Sequence, residues 1–366
     1  LNISRSINYD ITENDYSDCG DLDYRSITLV PLEEQEFPDS YIGSIKTNVQ
    51  EFYGANQNEN GLYHITNKTG NINSGLHHIF LEILANAIDN YTRSKTTLNK
   101  QTKIKITLDE ITGRVSIWND GLPIPIEINE KTGLYNPEML FGHLLSGSNF
   151  DDTQSRNTSG RNGLGGKASN IFSKEFRVKV CDSIHTYEQT WSNNMTQKTK
   201  PIIRKSKLKG FVEVSFIPDF IRFGEINWNK DMCSILLKDV LDTAMITKIS
   251  VFFNDKKVPI KNMKDYAQFY ESLSICDEID KMDIDDSDEK ENEDKSDKLE
   301  MVYIECWGST VVITPNKQKQ GRHISFVNSQ QTPQGGCHVD MWLEAFLRPI
   351  IDKLNAVERI EPNRYS

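Results

Sequence analysis

Residues 76–93 read LHHIFLEILANAIDNYTR, and this stretch decides the fold. Phe80, Ile83, Leu84, Ala87 and Ile88 recur at i, i+3, i+4, i+7 and i+8, which places them on one face of an α-helix. The opposite face carries Glu82, Asn86, Asp89, Asn90 and Arg93. Glu82 and Asn86 are four residues apart, so they stack one turn from each other. An Asn oxygen suits a hard cation such as Mg²⁺. A Glu carboxylate suits the orientation or deprotonation of an attacking water. A solvated amphipathic helix carries the same residue types, so the meaning of this face depends on its surroundings in the chain.

Two segments downstream add chemistry. Residues 103–108 (KIKITL) and 114–118 (RVSIW) alternate apolar and polar about a Thr112-Gly113 turn, the pattern of a β-hairpin. The second strand runs into Asn119-Asp120-Gly121. An acceptor at that strand end can take a hydrogen bond from the amino group of a flat ligand such as adenine; Asp-Gly is also a common turn pair. Further on, Gly160-Arg161-Asn162-Gly163-Leu164-Gly165-Gly166-Lys167 leads into Ala168-Ser169-Asn170-Ile171-Phe172, which can open a helix. Glycines let backbone N–H groups crowd a phosphate, and Arg161 and Lys167 add charge. The segment is not a G-x-x-x-x-G-K-[ST] loop, because Ala168 stands where a hydroxyl would bind Mg²⁺. A plain flexible loop is the competing reading.

The rest of the chain bounds the answer. With 366 residues, 37% of them hydrophobic, it can bury a real core, which excludes global disorder. No run of about 18 apolar residues occurs, so no transmembrane helix is expected. The start, Leu1-Asn2-Ile3-Ser4-Arg5, has neither an initiator Met nor a signal-like stretch, and the chain reads as a piece of something longer. Of the net charge of −11, −9 sits in residues 277–297, a low-complexity acidic insert expected to be disordered, so the remainder is nearly neutral. Six scattered cysteines without a C-x-x-C pair fit neither a zinc site nor a disulfide framework. Residues 1–23 are polar and read as an arm. Strands are expected at 174–181, 185–191, 210–217, 250–254, 301–306, 310–314 and 323–328, with helices near 137–145, 236–249 and 339–354.

The order of these elements resembles the GHKL ATPases: a helix with Glu-x-x-x-Asn, a strand ending in Asn-Asp-Gly, then a glycine-rich lid ending in Gly-x-Gly-x-Lys. Flanking segments narrow the resemblance to eukaryotic and large-virus type IIA topoisomerases. They are Phe37-Pro38-Asp39-Ser40-Tyr41-Ile42-Gly43-Ser44, the 144–152 stretch LLSGSNFDD, the run from Gly160 to Phe172, and Phe326-Val327-Asn328 with Thr332, Gly335-Gly336 and His338-Val339-Asp340. The match runs in order over about residues 24–354. It implies an α+β fold, a sandwich of helices on a mixed, mainly antiparallel sheet. The implied division is an arm (1–23), an ATPase domain (24–272), an acidic insert (273–300) and a partial α/β transducer (301–366).

The resemblance also implies roles. Glu82 would be the general base and Asn86 the Mg²⁺ ligand. Asp89 and Asn90 would support the nucleotide pocket, and Arg93 would reach toward phosphate. Asn119 and Asp120 would lie at the adenine, with Asp120 at its edge. Ser148 and Asn149 would contact ribose or phosphates. Arg161, Asn162, Gly163, Leu164, Gly165, Gly166 and Lys167 would form the lid. ATP and Mg²⁺ would be the cofactors. A homodimer, closed by ATP, would capture a DNA duplex, with no membrane partner. Nucleus would be the compartment in a cell, and cytoplasmic factory or virion for a virus. Pro123 departs from the family's N-x-G-x-G pattern. The family's Gln-Thr-Lys loop is expected beyond Ser366, and without the DNA-cleaving domains this chain alone is expected to cleave no DNA. Two alternatives remain beside this reading: a MutL- or chaperone-like GHKL switch, and a nucleotide-gated dimerisation module without turnover.

Overall fold

The computed structural model describes residues 42–130, 132–143, 165–270, 301–306, 308–314 and 323–358. Two long strands come first, β1 (Thr47–Gln57) and β2 (Tyr63–Asn73), paired antiparallel from Thr47↔Asn73 to Gln57↔Tyr63. The strand β2 passes directly into α1 (Ser74–Ser94). Asn73 makes that junction. Its side-chain oxygen accepts from the Leu76 N–H at 2.9 Å, while its Nδ2 donates to the Ile45 and Phe223 carbonyls. An Asn N-cap satisfies a helix donor that would otherwise be orphaned. Here the same side chain also ties the helix start to two other segments.

The strands β3 (Lys103–Asp109) and β4 (Arg114–Asp120) form the expected hairpin. After α2 (Asn136–Gly142) and α3 (Gly165–Ile171) come β5 (Ser173–Cys181), β6 (His185–Ser192), β7 (Gln197–Lys198), β8 (Ile202–Lys205) and β9 (Phe211–Pro218). A helix α4 (Lys230–Thr247), β10 (Ser250–Phe253), β11 (Lys256–Lys257) and the short α5 (Met263–Ala267) follow. These strands form a nine-stranded sheet in the order β11-β10-β3-β4-β9-β5-β6-β7, with β8 also on β6. Only the β10–β3 pair is parallel. The sheet is mixed and mainly antiparallel, as the resemblance implies.

Alternation explains the layers. Ile104, Ile106, Val115, Ile117, Phe176 and Val178 are buried, while their neighbours in sequence are partly open. A sheet with one covered face shows this pattern. The cover is α1, α3 and α4. The α1 stripe of Phe80, Ile83, Leu84 and Ala87 is at most 3% exposed, and His77 bonds Asp239 of α4 at 2.6 Å. Burial of each such large side chain contributes roughly 1.5–3 kcal/mol.

The C-terminal part of the described residues holds β12 (Val302–Cys306) with β13 (Ser309–Ile313), β14 (Phe326–Val327) with β15 (Gln330–Gln331), and α6 (Cys337–Glu358). A buried polar cluster seats β14–β15 on α4. Lys238 Nζ donates to Asp242 at 2.6 Å and to Gln331 at 2.7 Å, and it lies 5.5 Å from the Phe326 ring centre. Tyr266 donates to the other oxygen of Asp242 at 2.6 Å.

Candidate functional site

The site lies where α1, the end of β4 and the start of α3 meet. Glu82 and Asn86 lie on the part of α1 that its apolar stripe leaves uncovered; Glu82 is half-buried and Asn86 exposed. One Glu82 oxygen, Oε1, is 3.1 Å from His78 Nε2, one helical turn back. The other, Oε2, is pressed against Gly165. A Cβ built on Gly165 would lie 1.6 Å from Oε2, so only glycine fits there without moving the carboxylate. Gly166 lies beside Asn86, whose Nδ2 would be 3.5 Å from a Cβ at that position. The fold thus brings Glu82, Asn86, Gly165 and Gly166 together, although about 80 residues separate the two segments.

At the other end of α1, Asn90 works on backbone. Its Oδ1 accepts from the Leu122 N–H at 3.1 Å and its Nδ2 donates to the Leu122 carbonyl at 2.7 Å. This two-bond clamp fixes the turn after β4. Gly121 adopts φ +110° there, and a Cβ on it would meet Asn90 Oδ1 at 2.6 Å. Both facts require glycine. Asp89 is buried, whereas Arg93 is exposed.

Asn119 and Asp120 face opposite ways. Asn119 continues the inward parity of Val115 and Ile117 and is 5% exposed. Its Nδ2 donates to Gln101 Oε1 at 3.3 Å and to the Asp120 carbonyl at 2.8 Å. Gln101 in turn donates to the Ala87 carbonyl on α1 at 3.0 Å. The Asp120 carboxylate is on the other side, committed to backbone. It accepts from the N–H groups of Thr102 and Lys103 at 2.8 Å each, and from the Thr102 hydroxyl at 2.5 Å. That arrangement locks the start of β3.

Lys167 sits in the first turn of α3 and is wholly buried. Burial drives the His143 pKa below its ordinary value, and the charges of Lys198 and Lys167 push it the same way against Glu138. Ser148, Asn149, Arg161, Asn162, Gly163 and Leu164 lie outside the described residues. Pro123 faces Gly210, where an added Cβ would lie 3.1 Å from the Pro123 Cβ. Two partners of the site carry no sequence signal of their own: His78, which holds Glu82, and Gln101, which holds Asn119.

Mg²⁺ keeps several waters and is held by one or two protein oxygens plus substrate phosphates. A single exposed amide such as Asn86 fits that mode. Among the described residues no group of three or more His, Cys, Asp or Glu side chains could hold a metal by itself, and no helix is long and apolar enough to cross a membrane.

Residues 71–196 match the family of histidine kinase-, DNA gyrase B- and HSP90-like ATPases. The chain is 38% identical over 339 residues to DNA topoisomerase 2 of Invertebrate iridescent virus 6, which covers 87% of this chain and 27% of that protein. It is 36% identical over 327 residues to DNA topoisomerase 2 of Meyerozyma guilliermondii, covering 88% and 22%. The chain thus spans about a quarter of the length of these relatives. Among solved structures, the ATPase region of Saccharomyces cerevisiae topoisomerase II bound to ICRF-187 superposes with a TM-score of 0.75 at 32% identity, covering 89% of this chain and 80% of that one. The ATPase and transducer domains of topoisomerase II from Balamuthia mandrillaris give 0.74 at 28% identity, with 91% and 78% covered.

Proposed function

The chain belongs to the ATPase regions of type II DNA topoisomerases, within the GHKL superfamily, and on that premise we propose that it is the ATP-hydrolysing gate of a larger DNA-handling enzyme. The observation that carries the reading is the contact of Gly165 with Glu82. It sets a carboxylate on a rigid helix against side-chain-free backbone from the glycine-rich segment. A triphosphate held by that backbone would bring its terminal phosphate beside the carboxylate. Proximity of this kind is the main source of rate in phosphoryl transfer.

In this reading Glu82 Oε2 takes the proton of the attacking water. Asn86 would hold Mg²⁺, which would supply charge neutralisation at the phosphates. The ring-edge role falls to Asn119. Its amide nitrogen is engaged by Gln101 and backbone, which leaves its oxygen as the acceptor for an exocyclic amino group. Asp120 and Asn90 shape the turn beneath the base, Asp89 supports it from within α1, and Arg93 acts from solvent. Lys167 supplies buried positive charge in the first turn of α3. Ser148, Asn149, Arg161, Asn162, Gly163 and Leu164 complete the ribose contacts and the lid.

The larger cycle is ATP-driven dimerisation around a DNA duplex. Residues 1–23 serve as the arm, 24–272 as the nucleotide domain, 273–300 as an acidic spacer and 301–366 as the start of a transducer. The setting is the nucleus for a cellular parent, or a cytoplasmic factory or virion for a viral one. Titration calorimetry with a non-hydrolysable ATP analogue and Mg²⁺, paired with phosphate release from ATP, tests the site. Glu82→Gln is expected to bind within about twofold of wild type and to lose about 10²-fold or more of turnover, the scale of general-base catalysis. Retained turnover, or equal loss of binding, refutes the base assignment.

A further inference from the structure

The chain is acidic overall, yet residues 189–212 contain no Asp or Glu and six cations: Lys198, Lys200, Arg204, Lys205, Lys207 and Lys209. Lys198 pairs with Glu138 at 2.9 Å. The other five are exposed, and none is in an ion pair among the described residues. Lys200 precedes β8, the other four lie along β8 and its connection to β9, and among the described residues β8 pairs only with β6. Their sheet edge is therefore open among the described residues.

The connection is anchored. The Ser206 N–H donates to the Ile184 carbonyl at 2.8 Å, and the Leu208 N–H donates to Ser206 Oγ at 3.1 Å. Cys181 Sγ lies 3.6 Å from the Leu208 carbonyl. Lys205, Lys207 and Lys209 alternate with these tied residues. Lysines on an edge strand also block edge-to-edge pairing. That explains Lys205, but Lys207 and Lys209 lie past the strand, where no edge needs blocking.

We propose that this edge is a contact surface for the phosphate backbone of duplex DNA. Unpaired lysines act as point charges on phosphates and read no base sequence, so the contact is non-specific and salt-dependent. The choice of DNA among polyanions rests on the family reading above; the cation row and its anchoring do not. The test is fluorescence anisotropy of a labelled duplex of about 30 base pairs against salt. It compares wild type, the triple variant Lys205→Gln/Lys207→Gln/Lys209→Gln, and a charge-matched control, Lys256→Gln/Lys257→Gln/Lys261→Gln, near the opposite edge of the sheet. The first triple is expected to weaken binding at least about tenfold. It should also lower the slope of log K against log salt by about 2.7, about 0.9 per phosphate contact. The control is expected to stay within about twofold. Overturning results are an unchanged slope, an equal loss in the control, no wild-type binding at about 50 mM salt, or polyglutamate competing as tightly as DNA, which would assign the edge to an acidic protein segment. ATP-analogue titration of the same variants keeps the readings apart: unchanged nucleotide binding with lost DNA binding affects only this edge, and a wild type that binds DNA but no nucleotide refutes the ATPase reading alone.

Discussion

Gly165→Ala isolates the contact on which the catalytic reading depends. The new Cβ would sit 1.6 Å from Glu82 Oε2 and 2.5 Å from its Cδ. A relaxed carbon–oxygen contact needs roughly 3.2 Å, so the carboxylate must retreat by about 1.6 Å. It can do so cheaply, because the Glu82 side chain is 30% exposed and flexible at its end. Alanine is also favoured over glycine within a helix by up to about 1 kcal/mol. Folding stability is therefore expected to change by less than about 1 kcal/mol. Catalysis answers to geometry more steeply, and a misplacement of about 1 Å costs on the order of 10²-fold. The expected outcome is a fall of about 10²-fold in turnover at saturating ATP, with analogue affinity within about threefold of wild type and an unfolding midpoint within a few degrees. Phosphate release, calorimetry and a thermal melt read the three quantities on one preparation. Undiminished turnover would show that the Glu82 position beside Gly165 is not the reactive one. A loss confined to affinity would show that Gly165 serves the phosphates and not the base.

Asn119→Ala is expected to weaken ATP-analogue binding by about tenfold or more and, because it leaves the buried Gln101 Oε1 without its donor, to lower stability by about 1–3 kcal/mol; Asp120→Ala, whose Thr102 donors water can reach, should cost only about 0.5–1.5 kcal/mol, and calorimetry with denaturant titration reads both effects. Lys238→Met leaves Asp242 buried beside a lost partner and should cost about 3–5 kcal/mol in urea unfolding, while Lys238→Met/Asp242→Leu should recover most of it. Burial holds the His143 pKa below 6.5, so the unfolded chain binds more protons in the window just below that value. Stability from this group is complete above about pH 6.5 and is lost as pH falls toward the folded pKa. His143→Gln should flatten that part of a melting-temperature profile between about pH 7.5 and 5.

The hairpin β3–β4 was legible because strict alternation over six or seven residues has one simple reading, a half-covered strand. The same parity, carried two residues further, points Asn119 inward and Asp120 outward, so the division of labour between them is written in Val115 and Ile117. The segments β1 and β2 were not legible. Their runs, TNVQEFYGANQ and YHITNKTGNIN, are polar, and burial is confined to a few positions such as Phe52, Ala55, Tyr63, Ile65 and Ile72. Tertiary packing on α4 sets such strands more than local preference does. The helix expected from Leu236 begins at Lys230, where Asn229 caps it through the Met232 N–H at 2.8 Å. The role of Gln101 was invisible, since a Gln in LNKQTK looks like any surface residue until the fold carries it under α1.

One helix serves both the core and the candidate site, and this explains why so much of that candidate site could be read from residues 76–93. The apolar stripe of α1 is fixed by the sheet, and its N-terminus is fixed by Asn73, which bonds three segments at once. A helix held at that many points cannot rotate by even one residue without burying Glu82 or exposing Phe80. The backbone positions of Glu82 and Asn86 are therefore set by core packing, and the contact with His78 only orients the Glu82 carboxylate. Asn90 extends the same rigidity to the turn after β4, and Ala87 extends it through Gln101 to Asn119. Glu82, Asn86 and Asn119 are three points on one rigid body. The glycine-rich segment then completes the site by approaching that body without a side chain, which is why its glycines at 165 and 166 matter more than any charge they precede.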